Sequence, residues 1–336
     1  MPEPEDVQVA REFKAALLAR EAAQEAEMAR RWLQVEERLA AHMAALSWEF
    51  AERRDQGKTV SEASMYRLDR YKDLRSLTEE EIMRYEREYA DPLITAGQHE
   101  LGRVGIDHAR ALIGAGYGPF DAPYFKRLPY EAVEYMAGFL GDGTPLMRLL
   151  KESYPAAMDG MVRELITGTA QGTNPRETAR RMRDGLGMGL DKSLLIARTE
   201  QLRAYRTAST EQYAASGVVS KYKRISARDE RTCMACLASD GEEFAVGTLF
   251  SDHPAGRCST IPVVIGAREV NWQKGSTWFE QQDAATQKKM MGAKYYDAWK
   301  AGEFKLGDLR STVHSDVWGD SPQVTPLAQL TRRVSA

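Results

Sequence analysis

Between Glu5 and Gln56 the chain contains no glycine and no proline, and Ala, Glu, Arg, Leu and Gln dominate. Such residues lose little side-chain freedom in a helix, and nothing in the run interrupts the backbone hydrogen-bond ladder. Trp32, Val35, Leu39, Met43, Leu46 and Phe50 recur at steps of three and four, which places them on one side of that helix. At 1.5 Å per residue, about fifty residues reach roughly 75 Å, longer than a compact domain needs. Two uses of such a helix stay open at this level: one arm of an antiparallel bundle, or an arm lying against another subunit.

Gln56-Gly57-Lys58 breaks the run, and further helical stretches follow. Thr78-Glu79-Glu80-Glu81 fits a capping box, so a helix is expected to begin there and to continue until Asp91-Pro92 interrupts it. Residues 114–129 are dense in Gly, Pro and aromatics and read as a long loop. Short helices are expected over 130–140 and from Leu146 to about Thr169. Asn174-Pro175 is a good helix start, with Asn at the N-cap and Pro at the first helical position. That helix is expected to stop at Gly185 or Gly187, and another to run from about Asp191 to Tyr213. After Gly217 the texture changes: residues 218–225 and 260–265 mix β-branched and aromatic residues as strands do. Helical texture returns from Ser276 to about Trp299, and the end, from Asp320 to Ala336, reads as a tail. The fold class expected is mainly α: a long N-terminal helix and helical bundle with a small β-containing module, which a zinc ion would stabilise. The regions are drawn as residues 1–57 for the arm, 58–145 helical, 146–266 for the module and 267–336 for a C-terminal helical extension and tail.

The chain has 336 residues, with 46 Lys and Arg against 49 Asp and Glu, a formal charge of −3. This balance argues against a dedicated nucleic-acid coat, which carries a basic excess. The acidic start, Glu3-Pro4-Glu5-Asp6, lacks the layout of a secretory signal, and the apolar stretch of residues 261–265 is far too short to span a membrane. A soluble protein made in a reducing compartment is expected.

All three cysteines fall in the β-containing module: Cys233-Met-Ala-Cys236, then sixteen residues, His253, four more and Cys258. A C-x-x-C lets two sulfurs bind a metal from one tight turn, and a second half-site closes the coordination. Cys233, Cys236, His253 and Cys258 supply the four ligands of a tetrahedral zinc site; with all four from protein, such a site is structural. Three small buried thiols beside a hydrogen-bonded histidine remain the alternative, and a redox dithiol a weaker one. The order of residues does not fit a zinc deaminase, because no H-x-E precedes the C-x-x-C, and no phosphate-binding or nucleophile-elbow motif is present. His42, His99, His108 and His314 have no ligand spacing.

With these residues in view, the sequence resembles the minor head, or head-morphogenesis, proteins of tailed bacteriophages, including those similar to the phage Mu F protein. The resemblance is carried by Ile196-Ala-Arg-Thr-Glu200, by Asp229-Glu-Arg-Thr-Cys-Met-Ala-Cys236, by Asp240-Gly241, by His253-Pro-Ala-Gly-Arg-Cys258 and by Ile261-Pro-Val263, and extends over roughly residues 158–309. The family pattern has a cysteine where this chain has Gly256, which leaves Cys258 as the second half-site's one sulfur. The resemblance implies a non-enzymatic, low-copy virion protein assembled in the host cytoplasm, associated with the portal and other capsid proteins and with DNA packaging or ejection. Self-association is allowed and a membrane is not involved. The alternatives are a metal-dependent enzyme acting on DNA and a DNA-binding adaptor using Arg180-Arg181-Met-Arg183 and Lys221-Tyr-Lys-Arg224. Arg198, Glu200, Asp229 and Arg231 are read either as solvated surface charges or, if the fold brings them together, as a binding face or an internal ion-pair lock.

Overall fold

The computed structural model describes residues 5–58, 61–117, 128–135, 137–139, 144–267, 272–315 and 318–332. Helix α1 runs over Glu5–Asp55, as the Gly- and Pro-free stretch requires, and Gly57 ends it at φ +69°. A single turn, α2 (Glu62–Met65), precedes α3 (Asp69–Tyr85), a π-helical turn over Glu86–Ala90 and α4 (Asp91–Tyr117). The expected start at Thr78 is not a start. The Thr78 side chain is buried inside α3, and its hydroxyl donates back to the Leu74 carbonyl at 2.7 Å, so it caps nothing. Pro92 does not break the helical run either: it follows closely on the π-helical turn Glu86–Ala90, an irregularity in the hydrogen-bond ladder at which the loss of one N–H is accommodated. Of the expected loop over 114–129, residues 114–117 are the last of α4 and 118–127 lie outside the described residues.

The short helices α5 (Glu131–Glu134) and α6 (Leu146–Leu150) lead to α7 (Ser153–Ala170) and α8 (Pro175–Ser216). Asn174 caps α8 as expected, its side-chain oxygen accepting the Arg176 N–H at 2.9 Å. The expected stop at Gly185 or Gly187 is absent, and α8 is one 42-residue helix. Gly185 serves packing: a Cβ on Gly160 of α7 would come within 2.1 Å of the Gly185 carbonyl oxygen. The two glycines let the helix backbones touch. Gly217, at φ +71°, is where α8 ends.

Strand β1 (Val219–Ile225) is central in a three-stranded antiparallel sheet, flanked by β2 (Glu243–Ala245) and β3 (Ser259–Val264), with Tyr222 opposite both Phe244 and Pro262. Helix α9 (Met234–Ala238) lies between β1 and β2 in sequence. Helices α10 (Gly275–Glu280), α11 (Ala284–Met291) and α12 (Ala293–Lys300) fill the expected helical stretch. The segment read as a tail is structured up to residue 332. Strands β4 (Arg310–Ser315) and β5 (Gly319–Val324) pair as a hairpin, and α13 (Leu327–Arg332) buries Leu330 against Phe279, Leu309 and Leu237. Its polar composition hid the apolar anchor Leu330. The fold is mainly α with a small β module.

The chain divides into two compact units, each assembled from separated segments. The second comprises Leu18–Gly97 and Gly138–Glu200. Here the apolar side of α1 is spent: Trp32, Leu39, Met43, Leu46 and Phe50 are at most 1 % exposed, Trp32 meets Tyr85 edge-on at 4.9 Å, and the Ser47 hydroxyl lies 3.4 Å from Met182 Sδ. That stripe works as the arm of a bundle. The same unit buries the Glu86 carboxylate in the π-helical turn, where Oε1 accepts the Ser193 hydroxyl. The first unit comprises Met1–Leu17, Gln98–Ala137 and Gln201–Ala336. There the start of α1 docks on the β module, with Ala10 packed among Leu112, Ile225 and Ile261, and with Lys14 donating to the Ala227 carbonyl. Among the described residues no helix is long and apolar enough to cross a membrane.

Candidate metal centre

The first half-site is built by the start of α9. Cys233 is its N-cap, in extended conformation, and the Cys233 Sγ accepts the Cys236 N–H at 3.3 Å. The cap position turns Sγ back over the first helical turn, which is how a C-x-x-C brings two sulfurs together. The preceding loop is held by Asp229, which accepts the Arg231 N–H at 3.0 Å and pairs with Arg257 at 2.6 Å. The second half-site is a tight turn, in which the Gly256 N–H donates to the His253 carbonyl at 2.8 Å and Ala255 sits at φ +56°. It delivers His253 and Cys258 from one loop into β3.

These turns converge. Cys233 Sγ lies 3.4 Å from His253 Nε2. The ligand atoms of Cys233, Cys236 and His253 lie within 4.8 Å of one another, as do those of Cys236, Asp252 and Cys258, so Cys236 joins the two sets. A tetrahedral zinc ion with Zn–S of about 2.3 Å and Zn–N of about 2.0–2.1 Å spans an S···N edge of about 3.5 Å. The observed 3.4 Å fits that edge. His253 is also oriented as a ligand: Nδ1 faces the Pro254 carbonyl at 2.9 Å, which fixes the proton on Nδ1 and turns the Nε2 lone pair toward the sulfurs. The five side chains lie close enough to hold a metal, and among the described residues no other Cys, His, Asp and Glu group of this kind occurs.

The groups share protons in a way that a cation would replace. Hydrogen bonding to Cys236, against the opposing effect of burial, lifts His253 to about 9. Hydrogen bonding to Cys236 also draws the Cys233 thiol below its ordinary value. Hydrogen bonding to Cys236 and complete burial push Cys258 well up.

Asp252 was not expected from the sequence, and it is the hub of the second half-site. Its side chain is 0 % exposed. Oδ1 accepts Arg224 Nη2 at 2.5 Å and the His253 N–H at 3.0 Å. Oδ2 accepts Arg206 Nη2 at 3.0 Å and the Cys258 N–H at 3.3 Å. Four N–H donors reach the carboxylate, and the Cys236 thiol lies 3.8 Å from Oδ1. Burial works to raise its pKa, yet Arg206 and Arg224 together hold the carboxyl below its ordinary value. Gly256 makes room for this carboxylate, since a Cβ there would sit 2.2 Å from Asp252 Oδ2. Residue 252 adjoins His253 in sequence, but its partner Arg206 comes from α8, and no local pattern connects them.

Most of the other singled-out charges have ion-pair partners, whereas Arg183 and Arg231 are exposed. Arg180 and Arg181 pair with Glu177 at 2.7 and 3.1 Å, Lys221 and Lys223 with Glu243 at 3.1 and 3.4 Å, and Arg224 is turned inward. Arg198 pairs with Glu21 and Glu25, and Asp229 with Arg257. Glu200 is buried in the second unit. Arg198 and Asp229 thus pair with residues outside the four grouped from the sequence. His108 is buried against the Tyr205 hydroxyl, and His314 is exposed beside Asp320 at 2.8 Å.

A model of the family described as Phage Mu protein F like protein matches residues 159–261. No curated protein and no solved structure matches the chain. The matched segment takes in α7 from residue 159, all of α8, strands β1 and β2, the first half of β3 and all four of Cys233, Cys236, His253 and Cys258. Residues 262–309, where the sequence resemblance continues, lie outside it. The chain is thus similar, over residues 159–261, to the phage Mu F-like family of head-morphogenesis proteins.

Proposed function

We propose that the chain is a structural and assembly protein of a phage head, a low-copy virion component that works with the portal and other capsid proteins in DNA packaging or ejection. The observation that carries this reading is the family match over residues 159–261, which coincides with the segment that holds the Cys/His cluster. In this reading Cys233, Cys236, His253 and Cys258 hold a zinc ion, whose chemistry is structural: it ties the α9 turn to the β3 turn in a region whose connecting loops are rich in Gly, Pro and Asp. Small modules of this kind gain folding free energy directly from the metal.

The geometry favours scaffold over enzyme. Four protein donors fill a tetrahedral set and leave no open position for substrate or water. The cleft beside the cluster, lined by Arg231, Cys233, His253 and Arg257, has a volume of about 40 Å³, well below the roughly 300–1,000 Å³ of small-molecule sites. The pairing of Arg180, Arg181, Lys221 and Lys223 with carboxylates gives the DNA-adaptor reading no support. The test is co-purification of the full chain with a portal protein from the same genome, followed by mass measurement of the complex. A complex of fixed stoichiometry is expected. A chain that stays apart from the portal at micromolar concentrations, in the presence of the other head proteins, would count against the reading.

A further inference from the structure

We propose that Arg206, Asp252 and Arg224 are a built-in countercharge that fits the Cys233–Cys236–His253–Cys258 cluster to a dipositive ion carried by three thiolates. The proposal rests on the metal reading above and assigns roles to residues that do not themselves ligate.

The argument begins with a surplus charge. Arg206 and Arg224 have side chains only 6 % and 3 % exposed, and the acid both touch is the fully buried Asp252. Two guanidiniums against one carboxylate leave a net charge of +1 in the interior. Buried charge is tolerated only where it is matched. The matching charge lies beside it: Arg224 Nη2, which bonds to Asp252 Oδ1 at 2.5 Å, is also 3.7 Å from Cys236 Sγ. Arg206 reaches the same turn through the backbone, its Nε donating to the Cys258 carbonyl at 2.8 Å and its Nη2 to the Gly256 carbonyl. The Phe250 ring sits against both guanidiniums, 4.8 Å from Arg224 Cζ and 5.6 Å from Arg206 Cζ, and shields them from water. In such a setting electrostatic coupling is stronger than at a surface.

The charges close for one kind of centre. A dication bound by three thiolates and one neutral imidazole carries −1, the protons of the thiols and of His253 Nε2 having left to solvent. Added to the +1 of the Arg–Asp–Arg group, these side chains sum to zero; the partly buried Lys14, which also feels Cys258, is held by the Ala227 carbonyl and lies outside this sum. A monovalent ion on the same ligands would leave −1, and a two-thiolate, two-imidazole site would leave +1. Asp252 contributes position as well as charge, because its oxygens hold the His253 and Cys258 N–H groups that open and close the second half-site.

The test uses the full chain, stripped of metal with a chelator under reducing conditions and titrated with Co²⁺, whose absorption reports tetrahedral thiolate ligation; competition with Zn²⁺ gives the affinity. Arg224→Met is expected to weaken Zn²⁺ binding by about 10–100-fold, the range for outer-shell partners of metal ligands. Arg224→Lys, which keeps the charge, is expected to recover most of it. The decisive comparison is made in a Cys233→His background, where the site has one negative charge fewer. There the loss on Arg224→Met should shrink to a few-fold, a coupling that a merely structural role for Arg224 does not produce. Arg206→Met, read the same way, serves if Arg224→Met does not fold. Equal losses in both backgrounds, or no loss, would overturn the proposal while leaving the metal reading intact. A wild-type chain that takes up neither ion would remove both.

Discussion

The buried carboxyl of Glu86 makes stability depend on pH in a direction opposite to that of most acidic groups. Glu86 sits on the π-helical turn between α3 and α4 and is 0 % exposed. Its Oε1 accepts the Ser193 hydroxyl, Ser193 shares a 2.8 Å hydrogen bond with Ser153, and Oε2 has no hydrogen-bond partner among the described residues. The charged group it feels is Asp91, of the same sign. Burial, only partly offset by the two serine hydroxyls, lifts Glu86 to about 7 from an ordinary 4.5. The folded chain therefore holds this proton more tightly than the unfolded chain. The stabilisation is complete below pH 4.5 and is lost as the pH rises through 7. At 1.36 kcal/mol per pKa unit, the difference between about 7 and 4.5 amounts to as much as about 3 kcal/mol by pH 8. Glu86→Gln keeps the shape and removes the titration. Urea unfolding of both proteins, followed from pH 5 to pH 8.5, should show nearly equal stability at the acid end. At pH 8 the variant should be the more stable by up to about 3 kcal/mol. Parallel stability curves, with the same offset at every pH, would refute the reasoning.

Further expectations concern other parts of the chain. Cys236→Ser removes the donor common to both half-sites, and should abolish metal binding and cooperative melting of residues 217–266, read by metal analysis and calorimetry; an unchanged melting curve would contradict it. Gly185→Ala should destabilise by about 1–3 kcal/mol, because its Cβ would meet the Gly160 carbonyl at 2.5 Å, whereas Gly187→Ala, with nothing within 4 Å, should stabilise by up to about 1 kcal/mol; denaturant midpoints distinguish the two. His108, which burial lowers to about 4 from 6.5, favours the folded state fully above pH 6.5, and its contribution is lost as the pH falls through 4. His108→Gln should therefore flatten the acid limb of the stability curve below about pH 6.

The parts of this fold that were readable in the sequence are those whose cause is local. The stripe from Trp32 to Phe50 announces one long buried helix face because periodicity alone sets which side chains share a side. The Asn174-Pro175 start of α8 is a local hydrogen-bond arrangement, and it is where expected. Glycine is where the local signal misleads. Gly185 and Gly217 look alike in the chain, but one allows two helix backbones to touch and the other turns the chain left-handed. Thr78 misleads in the same way, since a hydroxyl that caps a helix and one that bonds back inside it belong to the same residue type. At the cluster, the spacing of Cys233, Cys236, His253 and Cys258 anticipated which side chains meet. Asp252 and Arg206 were not legible, because their roles arise from α8 packing beside a turn 46 residues later, and from the cavity that Gly256 leaves for a carboxylate.

The most direct measurement is native mass spectrometry of the full chain, purified under reducing conditions from zinc-supplemented medium. The account predicts one zinc ion per chain, lost together with the heat-stable fold of residues 217–266 when a strong chelator is added. A metal-free chain whose module melts at the same temperature with or without chelator would contradict it.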